Sequence, residues 1–308
     1  MSAIEVIRPS SREEWLALRR EGIGSSEVGT VLGVNRYETP FQLWLDKTGQ
    51  VPPKAETMPM LLGHLLEGAV AELFCRESGC SVEQGTEGDW ISRSDIRPYT
   101  QGSPDRICVT PSGERVLLEC KTTQMSVSPD DFPMPWYCQV QYLLLCTGLE
   151  RGALAWLSRG RDFGFLWVEA DAEFRDFMLS RLDSFWYGSV KGGTPPAPVS
   201  AADTASRFPL GAGGLAEADP ETAEAVRELR VAKLRLADAE GRVGELEDKI
   251  KAFMGDRETL TVGGETAATW KNSKPRQTLD AAALRKEMPD VAARFTREGA
   301  PSRRFLLK

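Results

Sequence analysis

The chain has 308 residues, which is enough for two domains, and its composition is that of an ordinary globular protein. Its formal net charge of −7 argues against a protein that coats nucleic acid, although a local basic channel can coexist with an acidic exterior. The single histidine, His64, excludes histidine-rich zinc sites and histidine-based catalytic triads.

The N-terminus and the cysteines indicate a reducing compartment. The first residues carry charges and lack an apolar core, so we expect no signal peptide, and no apolar run approaches the length of a membrane span. We therefore expect a cytoplasmic protein without a membrane partner. The six cysteines contain no CxxC pair, and their apolar neighbours indicate buried thiols: Cys75, Cys80, Cys108, Cys120, Cys138 and Cys146.

The N-terminal region contains a predicted helix that ends at a glycine-containing break. Arg19 lies in this helix, and Gly22–Gly24 forms the break. Ser25 and Ser26 follow this break and precede the apolar run Val28–Leu32, so either serine could cap a second helix. A helix N-terminus beside an arginine also makes an anion pocket, so capping and anion binding both stay open.

Glu67 lies in a predicted amphipathic helix, where Gly63 shares its face. By the pattern alone it is an exposed helix glutamate. The apolar residues that surround it at helical spacing are Leu62, Leu65, Leu66, Val70, Leu73 and Phe74.

The most informative segment is a predicted β-hairpin around a turn at Pro111–Gly113. The hairpin brings Asp105 close to Glu119 and Lys121. The latter two are two residues apart, so their side chains leave the strand on the same face. The two strands of the hairpin are expected at Ile107–Thr110 and Arg115–Cys120.

Two carboxylates and a lysine on one face suit a magnesium site that cleaves phosphodiesters. Carboxylates are hard oxygen ligands, the cation activates water and offsets phosphate charge, and Lys121 can orient that water. The alternative is a solvated hairpin with an ion pair. Against it, the second strand is apolar on both faces, so charges there need a partner or a metal: its apolar residues are Val116, Leu117, Leu118 and Cys120.

An α/β core follows from the next elements. Gln139 lies in an apolar helix, where a buried amide needs partners but could be an ordinary satisfied core group. Strands are predicted over Gly152–Leu157 and Phe163–Val168, and a helix over Ala172–Tyr187. These elements predict a central mixed sheet flanked by helices.

Composition divides the chain into three parts. Residues 1–191 form the predicted core domain. Residues 192–218 are rich in Ala, Gly, Ser and Pro, which is typical of a linker. Residues 219–308 form a C-terminal α+β module.

The C-terminal module begins with a long helix between the N-cap Asp219 and the stop signal Gly255. Its apolar residues are spaced alternately four and three apart, which makes a heptad seam: Ala225, Leu229, Ala232, Leu236, Ala239, Val243, Leu246, Ile250 and Phe253. This seam predicts a helix packed on its own module, or else a coiled-coil hairpin or an intersubunit contact.

The remaining elements are small. A β-hairpin is predicted over Thr259–Trp270, a short helix from Asp280 to near Pro289, and a last strand over Arg303–Leu307. Basic residues near aromatics in this region suit DNA contact, but they suit an ordinary small domain equally well.

These blocks together resemble the lambda-type (YqaJ-like) viral exonucleases of the PD-(D/E)xK nuclease superfamily. The resemblance implies a restriction-endonuclease-like core. It rests on five blocks in the family's order over about residues 13–157: Trp15–Val28, Val31–Gly49, Gly63–Glu67, Pro104–Lys121 and Tyr137–Tyr142.

The resemblance implies a role for each residue at the predicted metal site. Asp105 and Glu119 are implied as the central ligands, with the carbonyl of Cys120 as a backbone ligand. Lys121 is implied to position the nucleophilic water, and Gln139 to hold the water or the lysine.

Glu67 is implied to reach the site from its helix, at a second metal. The implied cofactor is Mg²⁺, as two ions, with Mn²⁺ as a substitute.

The resemblance also implies a pocket for the 5′-phosphate of the degraded strand, formed by Arg19, Ser26 and Ser25. One residue departs from the family pattern, because Arg106 follows Asp105 where the family usually has Gly. Further residues expected to contact DNA are Asn35, Arg36, Tyr37 and Arg106, and a basic channel is expected from Arg19, Arg20, Arg36, Lys47, Arg106 and Lys121.

The implied activity is a magnesium-dependent 5′→3′ exonuclease on linear double-stranded DNA, which leaves 3′ overhangs for a single-strand annealing protein. The implied setting is phage-type recombination in the cytoplasm of a bacterial host, by a homo-oligomer that could form a ring. Two alternatives stay open: an endonuclease or repair nuclease with the same core, and a catalytically inactive DNA-end-binding protein.

Overall fold

The computed structural model describes residues 4–55, 57–84, 90–275, 277–299 and 302–308, and the chain divides into two units, Met1–Arg207 and Phe208–Lys308. The α-helices of the first unit are α1 (Arg12–Arg20), α2 (Val28–Val31), α3 (Pro40–Lys47), α4 (Met58–Ser78), α5 (Met134–Thr147), α6 (Ala172–Asp183) and α7 (Ala201–Arg207). Its strands are β1 (Ile4–Ile7), β2 (Ser81–Val82), β3 (Ile91–Ser94), β4 (Gln101–Gly102), β5 (Arg106–Val109), β6 (Arg115–Thr123), β7 (Arg151–Ser158) and β8 (Asp162–Glu169).

The central sheet is mixed and has the strand order β2-β5-β6-β7-β8. Only β6 and β7 are parallel, because α5 connects them and carries the chain back across the sheet. The other neighbours are antiparallel. A smaller sheet has the order β1-β3-β4.

Strand β6 separates two hydrophobic layers because its side chains alternate between faces. Leu118 packs with Val70 and Phe74 of α4 on one face, and Leu117 packs with Leu143 of α5 on the other. Each of these side chains is fully buried, which stabilises the fold by about 1.5–3 kcal/mol per residue. The helices on both faces of a mixed sheet confirm the predicted α/β fold.

The predicted hairpin is also confirmed. Thr110 N–H donates to the carbonyl of Glu114 (2.9 Å), so the turn closes one residue earlier than expected and β5 ends at Val109. Gly113 has φ +86°, a left-handed conformation that glycine adopts without steric cost.

Helix α4 departs from the expectation about membrane spans. Among the described residues it is the helix that is long and apolar enough to cross a membrane by length and composition, with 21 residues and an 18-residue stretch of mean hydropathy 1.3. Its second half packs on the central sheet through Val70, Ala71 and Phe74. A helix that covers a sheet passes the same test, so length and composition alone do not make α4 a span.

The predicted linker contains structure. Helix α7 lies inside it, and Asp203 of α7 is 1% exposed. The carboxylate of Asp203 accepts hydrogen bonds from Thr39 Oγ1 (3.0 Å) and Val199 N (3.1 Å). These contacts explain why the first unit extends to Arg207, whereas the boundaries 1–191, 192–218 and 219–308 stay a prediction.

The second unit begins with α8 (Pro220–Met254), followed by β9 (Thr259–Val262), β10 (Glu265–Thr269), α9 (Ala281–Glu287) and α10 (Pro289–Phe295). The long helix begins at Pro220 and ends before Gly255, and the hairpin follows it, as predicted. Pro289 ends the short helix α9 as expected, but it also begins α10, because proline suits the first helical position.

The last strand was predicted wrongly. The described residues 302–308 contain no strand. Arg303 donates instead to the carbonyl of Phe208 (3.4 Å), and the carbonyl of Lys308 accepts from Arg230 (3.0 Å). These local contacts replace the ladder that a strand would need.

The Asp203 contacts generate a prediction about stability. In Asp203→Ala, Thr39 Oγ1 and Val199 N lose their acceptor, so we expect the free energy of unfolding of the first unit to fall by about 1–3 kcal/mol. Urea denaturation followed by circular dichroism measures the change. The matched control is Asp130→Ala on the exposed surface, which should stay within about 0.5 kcal/mol of wild type.

The same contacts predict how the chain can be shortened. A chain that ends at Arg207 should fold cooperatively, and a chain that ends at residue 191 should unfold at a lower urea concentration because it lacks α7. Equal midpoints for the two truncated chains would show that α7 does not belong to the first unit.

Candidate active site

Asp105 is held at the end of the β5–β6 ladder. The last paired residues of the two strands are Arg106 and Leu118, and β6 continues beyond them. The backbone N–H of Cys120 therefore has no partner in β5, and it donates to Asp105 Oδ2 (2.6 Å). Asp105 lies at the site because it directly precedes β5, and β6 extends past that end of β5.

Glu119 is almost completely buried, with 1% exposure. It lies on the α5 face of β6, where its Oε1 accepts from Lys121 Nζ (2.7 Å) and from Gln139 Nε2 (2.6 Å). Lys121 Nζ also donates to Gln139 Oε1 (2.8 Å), which closes a ring of three side chains. The structure therefore brings these three predicted site residues together.

The second carboxylate oxygen of Glu119 has a different environment. Oε2 is buried and has no hydrogen-bond partner among the described residues. Buried polar atoms are almost always paired, so this oxygen is an acceptor that the chain leaves unused. The N–H and the carbonyl of one strand residue point to the same edge, so the carbonyl of Cys120 lies on the Asp105 side.

The centre has more negative than positive charge. Burial, and then the neighbouring Glu119, raise the pKa of Asp105 well above its usual value. Burial also raises the pKa of Glu119, against the opposing effect of Lys121. Burial lowers the pKa of Lys121, but the charges of Glu119 and Asp105 outweigh it, so that pKa is raised. One lysine thus serves two carboxyl groups, and the centre favours a further positive charge.

Glu67 is held by the residue that departs from the family pattern. Arg106 Nη1 pairs with Glu67 Oε1 and also donates to the carbonyl of Asp105. These two contacts hold the Arg106 side chain in the site. The carboxylate of Glu67 is therefore already paired with the positive charge of Arg106.

The acidic centre offers few side chains that could bind a metal ion. Among the described residues, no three His, Cys, Asp or Glu side chains are grouped so that they could hold a metal by themselves. The pairing of Glu67 with Arg106 is consistent with that result. The oxygens that remain are those of Asp105, Oε2 of Glu119 and the carbonyl of Cys120. They are hard donors that fit Mg²⁺ or Mn²⁺.

A second charged cluster surrounds Arg19. Its Nη2 pairs with Glu27 Oε1 (2.8 Å) and lies 3.5 Å from Ser26 Oγ. Glu27 is buried, and its Oε2 pairs with the buried Lys47 (2.7 Å) and accepts from Gly24 N–H (2.7 Å). The cluster carries two positive charges and one negative charge, so it favours an anion.

The same contacts correct one expectation and decide another. Lys47 was expected to line a basic channel, but it is buried because it pairs with Glu27 and donates to the carbonyl of Arg19 (2.7 Å). Ser25 and Ser26 form a 3₁₀ turn with Glu27, and neither side chain caps α2. Burial opposes the ionisation of Glu27, but Lys47 and Arg19 together hold its pKa below the usual value.

The predicted DNA-contact loop has one structural residue and two exposed ones. Asn35 donates to Thr30 Oγ1 (2.8 Å) and accepts from Tyr37 N–H (2.9 Å), so it shapes the loop. The guanidinium of Arg36 lies over the ring of Tyr37, 4.7 Å from its centroid, and Tyr37 is 79% exposed. Such a pair suits contact with DNA, which stays a prediction.

Part of the acidic centre and part of the Arg19 cluster line one cleft of about 500 Å³. Asp105, Glu67 and Gln139 line one part of it, and Arg19, Ser25 and Ser26 line another, and Arg106 lines it as well. Trp15, Met60 and His64 also line the cleft, and no role at the site was predicted for them.

Sequence reasoning missed the roles of Glu27 and Trp15. Glu27 forms an ion pair with Arg19, and the guanidinium of Arg19 lies over the ring of Trp15, 4.7 Å from its centroid. A signal was present, because Glu27 is an acidic residue directly before an apolar helix. Its partner Lys47 is twenty positions away, however, and no periodicity connects the two.

Comparison with known proteins places the chain in a family. The model of the YqaJ-like viral recombinase domain matches residues 14–150. The protein YqaJ of Bacillus subtilis (strain 168) is 33% identical over 310 residues, which cover 97% of this chain and 94% of that protein.

Solved structures show weaker similarity. The alkaline exonuclease LHK-Exo of Laribacter hongkongensis is 16% identical with a TM-score of 0.46, over 59% of this chain and 93% of that one. A phage-related exonuclease from Haemophilus somnus 129PT is 11% identical with a TM-score of 0.41, over 58% of this chain and 100% of that one.

The family assignment rests on the sequence matches. They cover the residues that form the acidic centre, all of which are present: Asp105, Glu119, Lys121 and Gln139. The chain therefore belongs to the YqaJ-like viral recombinase family.

Proposed function

We propose that this protein is a DNA nuclease, a magnesium-dependent exonuclease that degrades one strand of linear duplex DNA from its 5′ end. The observation that carries the proposal is the shared cleft, because Asp105, Glu67 and Gln139 line it together with Arg19, Ser25 and Ser26. A terminal phosphate on Arg19 and Ser26 would hold one strand end while the bond to be cleaved lies at Asp105 and Glu119.

The residues of the acidic centre would divide the work. Asp105, Oε2 of Glu119 and the carbonyl of Cys120 would hold the cation, which would lower the pKa of water and offset charge on the phosphate. Lys121 would orient the attacking water and stabilise developing negative charge, because its Nζ is fixed between Glu119 and Gln139. Gln139 would hold both of these side chains.

Glu67 would serve a second Mg²⁺ ion. Its carboxylate must then leave Arg106, which could turn to the DNA phosphate instead. Mn²⁺ would substitute for Mg²⁺ because it accepts the same oxygen ligands.

The product would be a duplex with a 3′ single-stranded overhang. We propose a single-strand annealing protein as the partner that receives it, which agrees with membership of a recombinase family. The enzyme would act as a homo-oligomer in the cytoplasm of the host.

End-labelled linear duplex incubated beside a closed circle tests the proposal. With Mg²⁺ the linear DNA should lose its 5′ label first, the circle should survive, and EDTA should stop the reaction. Cleavage of the closed circle at an equal rate would establish an endonuclease instead. DNA-end binding without any cleavage would establish an inactive binding protein.

The metal site predicts the effect of removing one ligand. Asp105→Asn or Glu119→Gln should abolish Mn²⁺ binding in isothermal titration calorimetry, because each removes a charged oxygen donor. Glu114→Gln on the exposed turn of the same hairpin is the matched control and should bind like wild type. Unchanged Mn²⁺ binding by either site variant would remove the assignment.

The raised pKa values predict a pH dependence of metal binding. Because burial raises the pKa values of Asp105 and Glu119, the metal-free centre holds a proton at higher pH than ordinary carboxyl groups do. Metal binding should therefore release protons, and affinity should rise with pH through the raised pKa values and then level off. Titrations in buffers of different ionisation enthalpy measure the release, and its absence would contradict the raised pKa values of Asp105 and Glu119.

Lys121 should affect turnover rather than metal binding. Lys121→Met should lower kcat by about 10²–10³-fold, because it removes a donor that stabilises developing charge. Mn²⁺ binding by calorimetry should be retained. Lys286→Met on the exposed surface of α9 is the control, and a kcat within a few-fold of wild type for Lys121→Met would exclude the role.

Arg19 should set the preference for the terminal group. Loss of a charged hydrogen bond costs about 1.5–3 kcal/mol, so Arg19→Ala should erase a preference for 5′-phosphate over 5′-hydroxyl ends of roughly 10- to 150-fold. The neighbouring Arg20 is exposed, so Arg20→Ala is the matched control. A wild-type enzyme that is indifferent to the terminal group would contradict the pocket.

A further inference from the structure

Helix α8 presents an apolar seam to solvent along most of its length. Its 35 residues span about 50 Å, and only Met254 at its end is buried among the described residues of the helix. The large seam side chains are 40–71% exposed: Leu236, Val243, Leu246, Ile250 and Phe253.

A helix of this length rarely stands alone in water, because most helical stability in proteins comes from the packing of an apolar face. The capped ends add little to this. Asp219 accepts from Thr222 N–H (2.7 Å), and Gly255 N–H donates to Lys251 (3.1 Å). The seam is thus the part of the helix that needs a covering surface.

The residue types on the seam favour a particular partner. In heptad positions, the a sites are Leu229, Leu236, Val243 and Ile250, and the d sites are Ala232, Ala239, Leu246 and Phe253. β-Branched residues at a together with leucine at d favour parallel pairs of helices. This arrangement holds in the second half of α8, at Val243, Leu246 and Ile250.

The charges beside the seam identify the occupant as a second copy in parallel. In a parallel, in-register pair, each g residue lies against the e residue five positions later on the other helix. Such a pair joins residues of opposite charge three times on each side: Glu228 with Lys233, Arg235 with Glu240, and Arg242 with Glu247.

The antiparallel arrangement is less favourable. With its apolar layers matched, it places Arg235 against Arg242 of the other helix, which repel each other. Two of the residues now form exposed pairs within their own helix, Arg242 with Glu245 (3.0 Å) and Glu247 with Lys251 (2.8 Å). Exposed pairs of this kind contribute little, so they do not prevent the exchange.

We propose that α8 is a dimerisation surface on which a second copy of the chain docks as a parallel two-stranded coiled coil. The surface extends along the a and d positions from Leu229 to Phe253. It lies outside the acidic centre, so the inference does not depend on the polarity or the metal of the nuclease.

Light scattering and sedimentation of the full chain, each over a range of concentrations, test the proposal. Wild type should associate in even numbers of chains. Leu236→Asp should halve the mass, and Leu234→Asp should leave it unchanged, because Leu234 is 72% exposed on the opposite face of the same helix. Circular dichroism and nuclease activity show whether each variant is folded.

Charge reversal tests the orientation and does not depend on the seam variants. Arg235→Glu with Arg242→Glu should raise the dimer Kd roughly 10- to 100-fold. Glu240→Arg with Glu247→Arg should do the same, and a mixture of the two double variants should associate as well as wild type. In an antiparallel pair the first double variant exchanges one repulsion for another, so it should leave the Kd unchanged.

Three results would overturn the proposal. The first is a wild-type chain that stays monomeric at every concentration. The second is an assembly whose mass Leu236→Asp leaves unchanged in a folded protein. The third is a pair of charge-reversed variants that fail to associate when mixed.

Discussion

Two carboxyl groups share one lysine at the end of a buried strand, and most features of the catalytic unit follow from this charge imbalance. Asp105 and Glu119 both resist ionisation, because Glu119 is buried and the half-buried Asp105 lies beside it, and Lys121 neutralises one of them. Such an arrangement costs stability unless a further cation or proton enters. A site of this kind is built for a ligand that is not part of the chain.

The fold sets the geometry of the imbalance. Strand β6 extends past the start of β5, so the N–H of Cys120 has no partner in β5 and donates to Asp105 instead. Helix α5 crosses from β6 to β7 on the face that carries Glu119, which is why Gln139 reaches it. On the other face, α4 carries Glu67, whose pairing with Arg106 supplies a positive charge from the chain itself.

Local patterns predicted the elements, and long-range contacts decided the details. The hairpin around Gly113 and the long helix α8 were readable because turn residues, caps and apolar spacing all agree there. The buried pair of Glu27 and Lys47 was not readable, since it joins residues twenty positions apart that no periodicity relates.

Helix α7 shows the same limit of sequence reasoning. Its composition resembles a linker, but the hydrogen bond between Asp203 and Thr39, across 164 positions, joins it to the first unit. The seam of α8 is the opposite case, because its heptads are visible in the sequence, but their exposure is not.

In the proposed function, Asp105 and Glu119 hold a divalent cation between them. Crystals of the protein grown with Mn²⁺ and measured at a wavelength where manganese scatters anomalously test it most directly. We expect an anomalous peak in contact with Asp105, with Oε2 of Glu119 and with the carbonyl of Cys120. A difference map without a peak at these oxygens, in crystals where Mn²⁺ is bound elsewhere, would contradict it.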